Sequence, residues 1–259
     1  MLPKADLLKG VEHRDELTRI LDQAEQAIRT WEVVVTDFWS PPVLIEAQTK
    51  LAPLNDIQVV AWGGYPQAER QRLALARTEL PLETEQVELA ALDVAGNFLF
   101  DAANHRDFLG AILNTGVVRD KVGDILVLGD RGAQILVVPE LVEFFQQSLL
   151  QVRSVPVKVQ PIELSELKIR PPKRKEITTV EASLRLDAIA SAGFGMSRSK
   201  MVAAIQTGDV RVNWQPVKQP SQAIAAGDLI AMRGKGRVEV GDIMITKKER
   251  YRVNLTRLL

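Results

Sequence analysis

The sequence predicts an α+β protein made of three small units. Three features lead to this prediction: an amphipathic helix followed by apolar β-type segments, then a βαββαβ order of elements, then two short helices leading into a strand. We predict an α/β domain at 1–82, a βαββαβ domain at 83–165, a basic linker at 166–180 and a last α+β domain at 181–259. With 259 residues, 46% of them hydrophobic, the chain can bury two or three small cores.

The first unit begins with a helix that has one apolar face. Between Val11 and Ile28, apolar residues recur at spacings of three and four, namely Leu17, Ile20, Leu21, Ala24, Ala27 and Ile28. The β-branched segment from Trp31 to Thr36 predicts a strand that ends at the breaker Ser40-Pro41-Pro42. A second apolar segment runs from Ile57 to Trp62 and closes at a Gly-Gly-Tyr-Pro turn.

The middle unit alternates strands and helices in the order of a ferredoxin-like, or split βαβ, domain. The predicted strands are 87–94, 125–128, 133–138 and 155–162, and the predicted helices are 103–113 and 139–149. Pro139 suits the first turn of a helix, where its missing N–H costs nothing. RNA-recognition domains share this topology but stack bases on aromatic residues of their central strands, and these strands carry none.

Charge is segregated along the chain. Up to Leu167 there are 25 acidic and 15 basic residues, and from Lys168 on there are 8 acidic and 18 basic, which is a change in net charge from −10 to +10. Such asymmetry indicates a polyanion-binding end joined to an end with another role. The linker, with Pro171 and Pro172 before a run of cations, fits either a solvated hinge or a basic arm along a phosphate backbone.

Composition excludes several classes of site. The chain has no cysteine and two histidines, so it has no disulfide, thiolate nucleophile or cysteine-based metal centre. We predict no metal site and no cofactor, because the sequence lacks a spaced carboxylate cluster, a P-loop and a G-x-G-x-x-G motif. The absence of an apolar run long enough to span a bilayer predicts a soluble, cytoplasmic protein. His105 lies near Asp107, but without a nucleophile beside them a structural role is favoured over catalysis.

Two short helices and a strand are predicted between 183 and 213. Gly193 is placed to end the first helix in a left-handed conformation, Ser197 to cap the second and Gly208 to end it. The apolar stripes are Leu186, Ile189 and Ala190 on the first helix, and Met201, Ala204 and Ile205 on the second. Val210 and Val212 then alternate with polar residues, as in a half-buried strand. Two further strands, 238–245 and 250–255, predict a hairpin.

The start of the second helix is a candidate anion site. Its first N–H groups lack helical partners and its dipole is positive there, while Arg198 and Lys200 flank it and Arg185 could add a third cation. The alternative is that Ser197 only caps the helix and that the cations are solvated.

Taken together, these positions resemble the S4 RNA-binding domain. The resemblance covers about 60 residues: Arg185-Leu186-Asp187, Gly193, Ser197-Arg198, Gly208-x-Val210-x-Val212-Asn213, Val217, Pro220, Gly227-Asp228 and Arg233-Gly234-Lys235-Gly236-Arg237. It implies an S4-like (αL) fold that grips structured RNA with paired helices and adjoining strand loops. Many S4 domains carry glycine after the asparagine of the strand turn, whereas this chain has Trp214.

Four features are similar to the YlmH-like family: Trp214, the Arg-Gly-x-Gly-Arg ending, the segment His105–Gly110 and the segment Gly123-Asp124-Ile125. That family places an S4 domain after two small N-terminal domains, and it implies RNA binding on ribosomal or tRNA-bearing particles. Members also occur in photosynthetic organisms as a photosystem II S4 domain protein, although no residue here indicates pigment or thylakoid binding.

The leading hypothesis is a non-catalytic RNA-binding protein that docks on structured rRNA or tRNA in a ribosomal particle, while its acidic domains contact protein. The alternatives are an RNA-modifying enzyme of the pseudouridine synthase class and a protein-binding assembly factor. The predicted RNA-binding residues are Arg185, Ser197, Arg198, Lys200, Arg211, Asn213, Trp214, Lys218, Arg233, Lys235 and Arg237. Their cations would neutralise phosphates, Asn213 would hydrogen-bond sugar or base, and Trp214 would either stack on an unpaired base or plug the turn.

Overall fold

The computed structural model describes residues 2–169 and 174–258. It mixes helices and antiparallel sheets throughout, which confirms the predicted α+β class. The chain divides into two compact units, Met1–Ile169 and Arg170–Leu259, and each is described by itself.

The amino-terminal part of the first unit packs helices against a three-stranded sheet. Its elements are α1 (Lys4–Leu7), α2 (Arg14–Thr30), β1 (Val34–Val35), α3 (Pro41–Leu51), β2 (Ile57–Trp62) and β3 (Arg72–Arg77), with strand order β1-β3-β2. Helix α2 buries the predicted stripe from Leu17 to Ala27, which confirms its amphipathic pattern, and Ile28 is half-buried.

Two details of this part differ from the prediction. The strand expected from Trp31 to Thr36 is only Val34–Val35, because Trp31 ends α2 in a left-handed conformation (φ 59°). The segment Ser40-Pro41-Pro42, predicted only as a breaker, begins helix α3, whose first turn holds both prolines. Proline fits there because the first N–H groups of a helix have no helical partner. Strand β3 was not predicted.

The remainder of the first unit has the predicted ferredoxin-like topology. Its elements are β4 (Ala90–Ala95), α4 (His105–Asn114), β5 (Val122–Val127), β6 (Gly132–Val137), α5 (Val142–Ser148), β7 (Gln151–Val152), β8 (Val155–Pro156) and β9 (Lys158–Ile162). The four long strands pair antiparallel in the order β5-β6-β4-β9. Strands β7 and β8 form a small separate hairpin. The last long strand, β9, therefore begins at Lys158 and is shorter than the predicted strand 155–162.

Both faces of this four-stranded sheet are covered. Helices α4 and α5 bury Phe108, Ile112 and Phe145 against one face. The other face packs against residues of the amino-terminal part, including Phe38 and Tyr65. The Asp124 carboxylate strengthens this junction, because it accepts hydrogen bonds from the Tyr65 hydroxyl (2.7 Å) and from the backbone N–H of Glu69 (2.7 Å) and Arg70 (3.1 Å). The sheet surface on which RNA-recognition domains stack bases is therefore interior here.

The second unit is a six-stranded antiparallel sheet with two helices on one face. Its elements are β10 (Arg174–Glu181), α6 (Leu186–Phe194), α7 (Arg198–Gln206), β11 (Val210–Val212), β12 (Gln215–Pro216), β13 (Leu229–Met232), β14 (Gly236–Ile245) and β15 (Tyr251–Leu258). The strand order is β10-β15-β14-β13-β11-β12. The predicted C-terminal hairpin is confirmed as β14 and β15, with Val253 and Leu255 facing the core and Arg250 and Arg252 exposed.

Two predictions for the second unit are wrong in part. Residues Arg174–Val180 were assigned to the linker, but they form most of β10, which pairs along its length with β15. The two prolines of that linker lie outside the described residues. Gly193 does not end α6: it is helical and faces β14, where an added Cβ would lie 2.7 Å from a Val238 methyl carbon. Gly195, at φ 65°, ends the helix instead.

Candidate nucleic-acid interface

The start of α7 has the predicted cap. The Ser197 hydroxyl accepts a hydrogen bond from the Lys200 N–H at 3.4 Å, and Met201 and Ile205 are buried below it. Arg198 and Lys200 are exposed beside this helix end. Two cations thus lie at a helix start, where the dipole is positive and the first N–H groups have no helical partner, as an anion site requires.

A buried carboxylate, Asp187, organises the arginines of this region. It is 3% exposed and accepts two hydrogen bonds from Arg185, both 3.1 Å, and one from Arg198 at 3.0 Å. The arginine side chains are still 42% and 54% exposed. Each guanidinium group is therefore held in one orientation while part of it remains available to an external anion. The predicted set includes both arginines but not the carboxylate that positions them.

The charge on Asp187 depends on these arginines. Burial alone would raise the pKa of this carboxyl group, but the hydrogen bonds from Arg185 and Arg198 outweigh burial and lower the pKa below its ordinary value. Asp187 is therefore ionised at neutral pH and carries one negative charge between two positive ones.

The turn between β13 and β14 lies beside the end of α6. Arg257 donates one hydrogen bond to the Phe194 carbonyl (3.1 Å) and another to the Lys235 carbonyl (3.3 Å), so it ties the end of α6 to this turn. Gly236 permits the close approach of this turn to the end of β15, because a Cβ there would lie 2.5 Å from the Leu258 carbonyl oxygen. We define the helix-start surface as five cations: the half-buried Arg185 and the exposed Arg198 and Lys200 of the two helix starts, with the exposed Arg233 and Lys235 of this turn.

Asn213 and Trp214 form a two-residue hairpin turn between β11 and β12. Both have positive φ (50° and 68°), as in a type I′ turn. The Asn213 side chain donates to the Asp228 carboxylate (2.9 Å) and accepts from the Leu229 N–H (2.9 Å). Both ends of the amide are thus used within the unit. A role in shaping the turn accounts for Asn213 better than the predicted contact with sugar or base.

Replacing Asn213 with alanine is expected to lower the free energy of unfolding by about 1 kcal/mol, because it removes these hydrogen bonds and an asparagine that tolerates positive φ. Urea denaturation followed by circular dichroism measures the change. Lys218→Ala, an exposed substitution in the next loop, is the matched control. Equal stability of the Asn213 variant and this control would rule out the structural role.

The predicted RNA-binding residues do not form a single surface. Val210 and Val212 face the core with the helices, so Arg211 between them lies on the opposite face of the sheet. Arg211 pairs with Ala231, and Ala231 pairs with Arg237, which places Arg237 on that same open face. Trp214 joins them, since its ring lies 5.6 Å from the Arg237 guanidinium carbon. Lys218 is exposed in the loop after β12.

His105 and Asp107 do not form an acid–base pair at the start of α4. Asp107 accepts a hydrogen bond from the Asn104 N–H (2.9 Å) and lies 3.5 Å from Arg153. Asn104 in turn accepts from the Arg106 N–H (2.8 Å), which completes a reciprocal helix cap. Helix capping therefore explains Asp107 in the segment His105–Gly110.

Neither a metal site nor a membrane-spanning helix is found among the described residues. Within 2–169 and 174–258, three or more His, Asp or Glu side chains are nowhere arranged to hold a metal ion. In the same ranges, the helices are too short or too polar to cross a membrane.

Comparisons with known proteins cover most of the chain. Three family models match it: YlmH, N-terminal, at residues 12–80; Putative RNA-binding domain in YlmH, at 82–166; and S4 domain, at 184–230. A relative from Bacillus subtilis (strain 168), ribosome-associated protein quality control protein P2, is 34% identical over 230 residues, which is 88% of each chain. A solved structure, cell division protein ylmH from Streptococcus pneumoniae, matches with a TM-score of 0.53 and 23% identity, over 62% of this chain and 96% of that one, and shows a shared fold.

Proposed function

Because the chain belongs to the YlmH family, we propose that it is a non-catalytic RNA-binding protein that docks on structured RNA of a ribosomal particle. The name of the Bacillus relative concerns ribosome-associated quality control, which makes rRNA or tRNA the substrate we propose here. We propose the cytoplasm as its location for the same reason. The photosystem II association stays a prediction without support from the residues.

The observation that carries this proposal is the helix-start surface. Arg185, Arg198 and Lys200 lie at the starts of α6 and α7, and a buried carboxylate holds the two arginines in place. Arg233 and Lys235 are exposed on the turn that Arg257 ties to the end of α6. Arginine and lysine at fixed positions neutralise phosphates, and the free N–H groups of a helix start bind a phosphate oxygen directly. We therefore assign phosphate contacts to Arg185, Arg198, Lys200, Arg233 and Lys235, with Ser197 shaping the helix end.

The first unit is proposed to contact protein. The chain up to Leu167 has a net charge of −10, which opposes binding to a phosphate backbone. Its four-stranded sheet is covered on both faces, so base stacking in the manner of RNA-recognition domains is blocked. Residues 82–166 match the model of a putative RNA-binding domain, so any RNA contact of this unit would use a surface other than its covered sheet.

Asp187 also supports a role without catalysis. RNA-modifying enzymes of the pseudouridine synthase class are expected to carry an aspartate motif in a separate catalytic domain, whereas Asp187 belongs to the part of the chain that matches the S4 domain. Here its carboxylate is buried and bonded to two arginines. An aspartate in these contacts positions arginines and is not presented to a substrate.

Salt dependence tests the proposal. If the helix-start surface contacts at least three phosphates, the affinity for a structured rRNA fragment should fall roughly 40-fold between about 50 and about 200 mM salt. Fluorescence anisotropy at several salt concentrations gives the slope. A protein-binding assembly factor without functional RNA contacts would show weak binding with a shallow slope, and that result would exclude the proposal.

A further inference from the structure

The sheet face opposite α6 and α7 presents a line of arginines. Arg174 and Arg237 each pair with Leu258, and Arg237 and Arg211 each pair with Ala231, so all five residues lie on one row across the strands. Neighbouring strands are about 4.8 Å apart, which separates consecutive arginines by roughly 10 Å. The row therefore has three cations with an apolar residue between each pair, Leu258 in one case and Ala231 in the other.

Trp214 lies at this row in an unfavourable backbone conformation. A bulky residue with φ of 68° is a conformational outlier, and glycine would occupy this turn position without strain. The Arg211 side chain donates a hydrogen bond to the Trp214 carbonyl (3.3 Å), and the Arg237 guanidinium lies over the indole ring. The two arginines thus hold a half-buried indole in a fixed position on the open face.

A flat ring bordered by arginines matches the chemistry of an unpaired nucleotide. The base stacks on the indole, and the adjoining phosphates meet the guanidinium groups. An acidic peptide would match the charges but gains less from a planar aromatic surface. The arrangement therefore favours a nucleotide over a carboxylate partner.

We propose that this open face is a second RNA-binding surface, separate from the helix-start surface, which takes an unpaired nucleotide stacked on Trp214. The helix starts and the arginine row lie on opposite sides of one sheet, so the second unit can hold two RNA segments at once. This inference deepens the proposed function and relies on it for the identity of the polyanion as RNA.

The test uses the full chain with Trp214→Gly, Trp214→Ala and Trp214→Phe. Anisotropy measures binding to two probes, a short oligouridylate and a structured rRNA fragment. We expect Trp214→Gly to weaken oligouridylate binding roughly tenfold, since stacking contributes substantially per base, and Trp214→Phe to retain most of it. Glycine suits the turn, so Trp214→Gly should unfold at a higher urea concentration than Trp214→Ala, which separates loss of binding from loss of stability.

A second pair of substitutions distinguishes the two surfaces. Lys200→Ala with Lys235→Ala should weaken binding of the structured fragment and leave oligouridylate binding nearly unchanged. If both sets of variants lost affinity for both probes equally, the two probes would share one surface. If Trp214→Gly bound oligouridylate as well as the wild type does, the indole would take no part in binding. Either result overturns the inference. Competition by oligoglutamate as strong as by oligouridylate would also overturn it. If the structured fragment binds the wild type and oligouridylate does not, this inference fails while the proposed function stands; if neither binds, both fail.

Discussion

Replacing both Arg185 and Arg198 with alanine is expected to lower the melting temperature of the second unit by roughly 10 °C. The substitutions leave the Asp187 carboxylate buried without either of its arginine partners. An ionised carboxylate in that position has lost its hydration, and no arginine hydrogen bond or positive charge replaces it. Thermal unfolding at pH 7, followed by circular dichroism, measures the change.

A third substitution identifies the cause. Adding Asp187→Asn to the double variant removes the buried charge, so we expect most of the lost stability to return while RNA affinity stays low, because the arginines remain absent. Arg250→Ala with Arg252→Ala is the control, since it removes two exposed arginines from the hairpin of β14 and β15. If this control lost as much stability as the Arg185 and Arg198 double variant, the loss would be caused by the change in net charge and not by the buried Asp187 carboxylate.

The pH dependence provides a further check on Asp187. In the wild type its folded pKa lies below the unfolded value, so its contribution to stability is present above the unfolded pKa, near 3.9, and is lost as pH falls through the folded pKa. In the double variant burial dominates and raises the folded pKa, so acidification relieves the buried charge. The difference in stability between the two proteins should therefore narrow as the pH falls from 7 toward about 4.

Local signals in the sequence predicted several elements correctly. The start and stripe of α7 follow from Ser197, Met201 and Ile205, because a cap and a helical period involve only residues within two turns. The order of strands and helices in the middle unit likewise follows from short apolar runs and the turns between them. These features depend on neighbours along the chain, which a single sequence displays directly.

Other features depend on residues far apart in the sequence. Gly193 and Gly195 are equally plausible helix ends, and the choice between them is decided by Val238 packing against Gly193. The run Ile177 to Val180 has β-branched character, but its strand forms against β15, some 70 residues downstream. For the same reason the register that separates Arg211 and Arg237 from the helix-start surface could not be predicted: alternation shows which residues are exposed, and strand pairing decides on which face they meet.

Reversing the charge of Lys200 and Lys235 is expected to weaken binding to a structured rRNA fragment by at least about 100-fold at physiological salt. Each substitution to glutamate removes a cation from the helix-start surface and places a repulsive carboxylate there. The slope of log affinity against log salt concentration should also become shallower, by the amount expected for the loss of about two phosphate contacts. Both lysines are exposed, so the melting temperature should remain close to that of the wild type.

The matched control is Lys247→Glu with Lys248→Glu. These exposed lysines lie in the turn at the far end of β14 and β15, about 30 Å along the strands from the turn that holds Lys235, and their reversal changes net charge by the same amount. A specific phosphate-binding surface predicts little loss of affinity in the control, whereas attraction to net charge predicts the same loss in both pairs. Since the whole chain has a formal net charge of zero, binding strong enough to measure must come from local arrangement, and this comparison tests which arrangement it is.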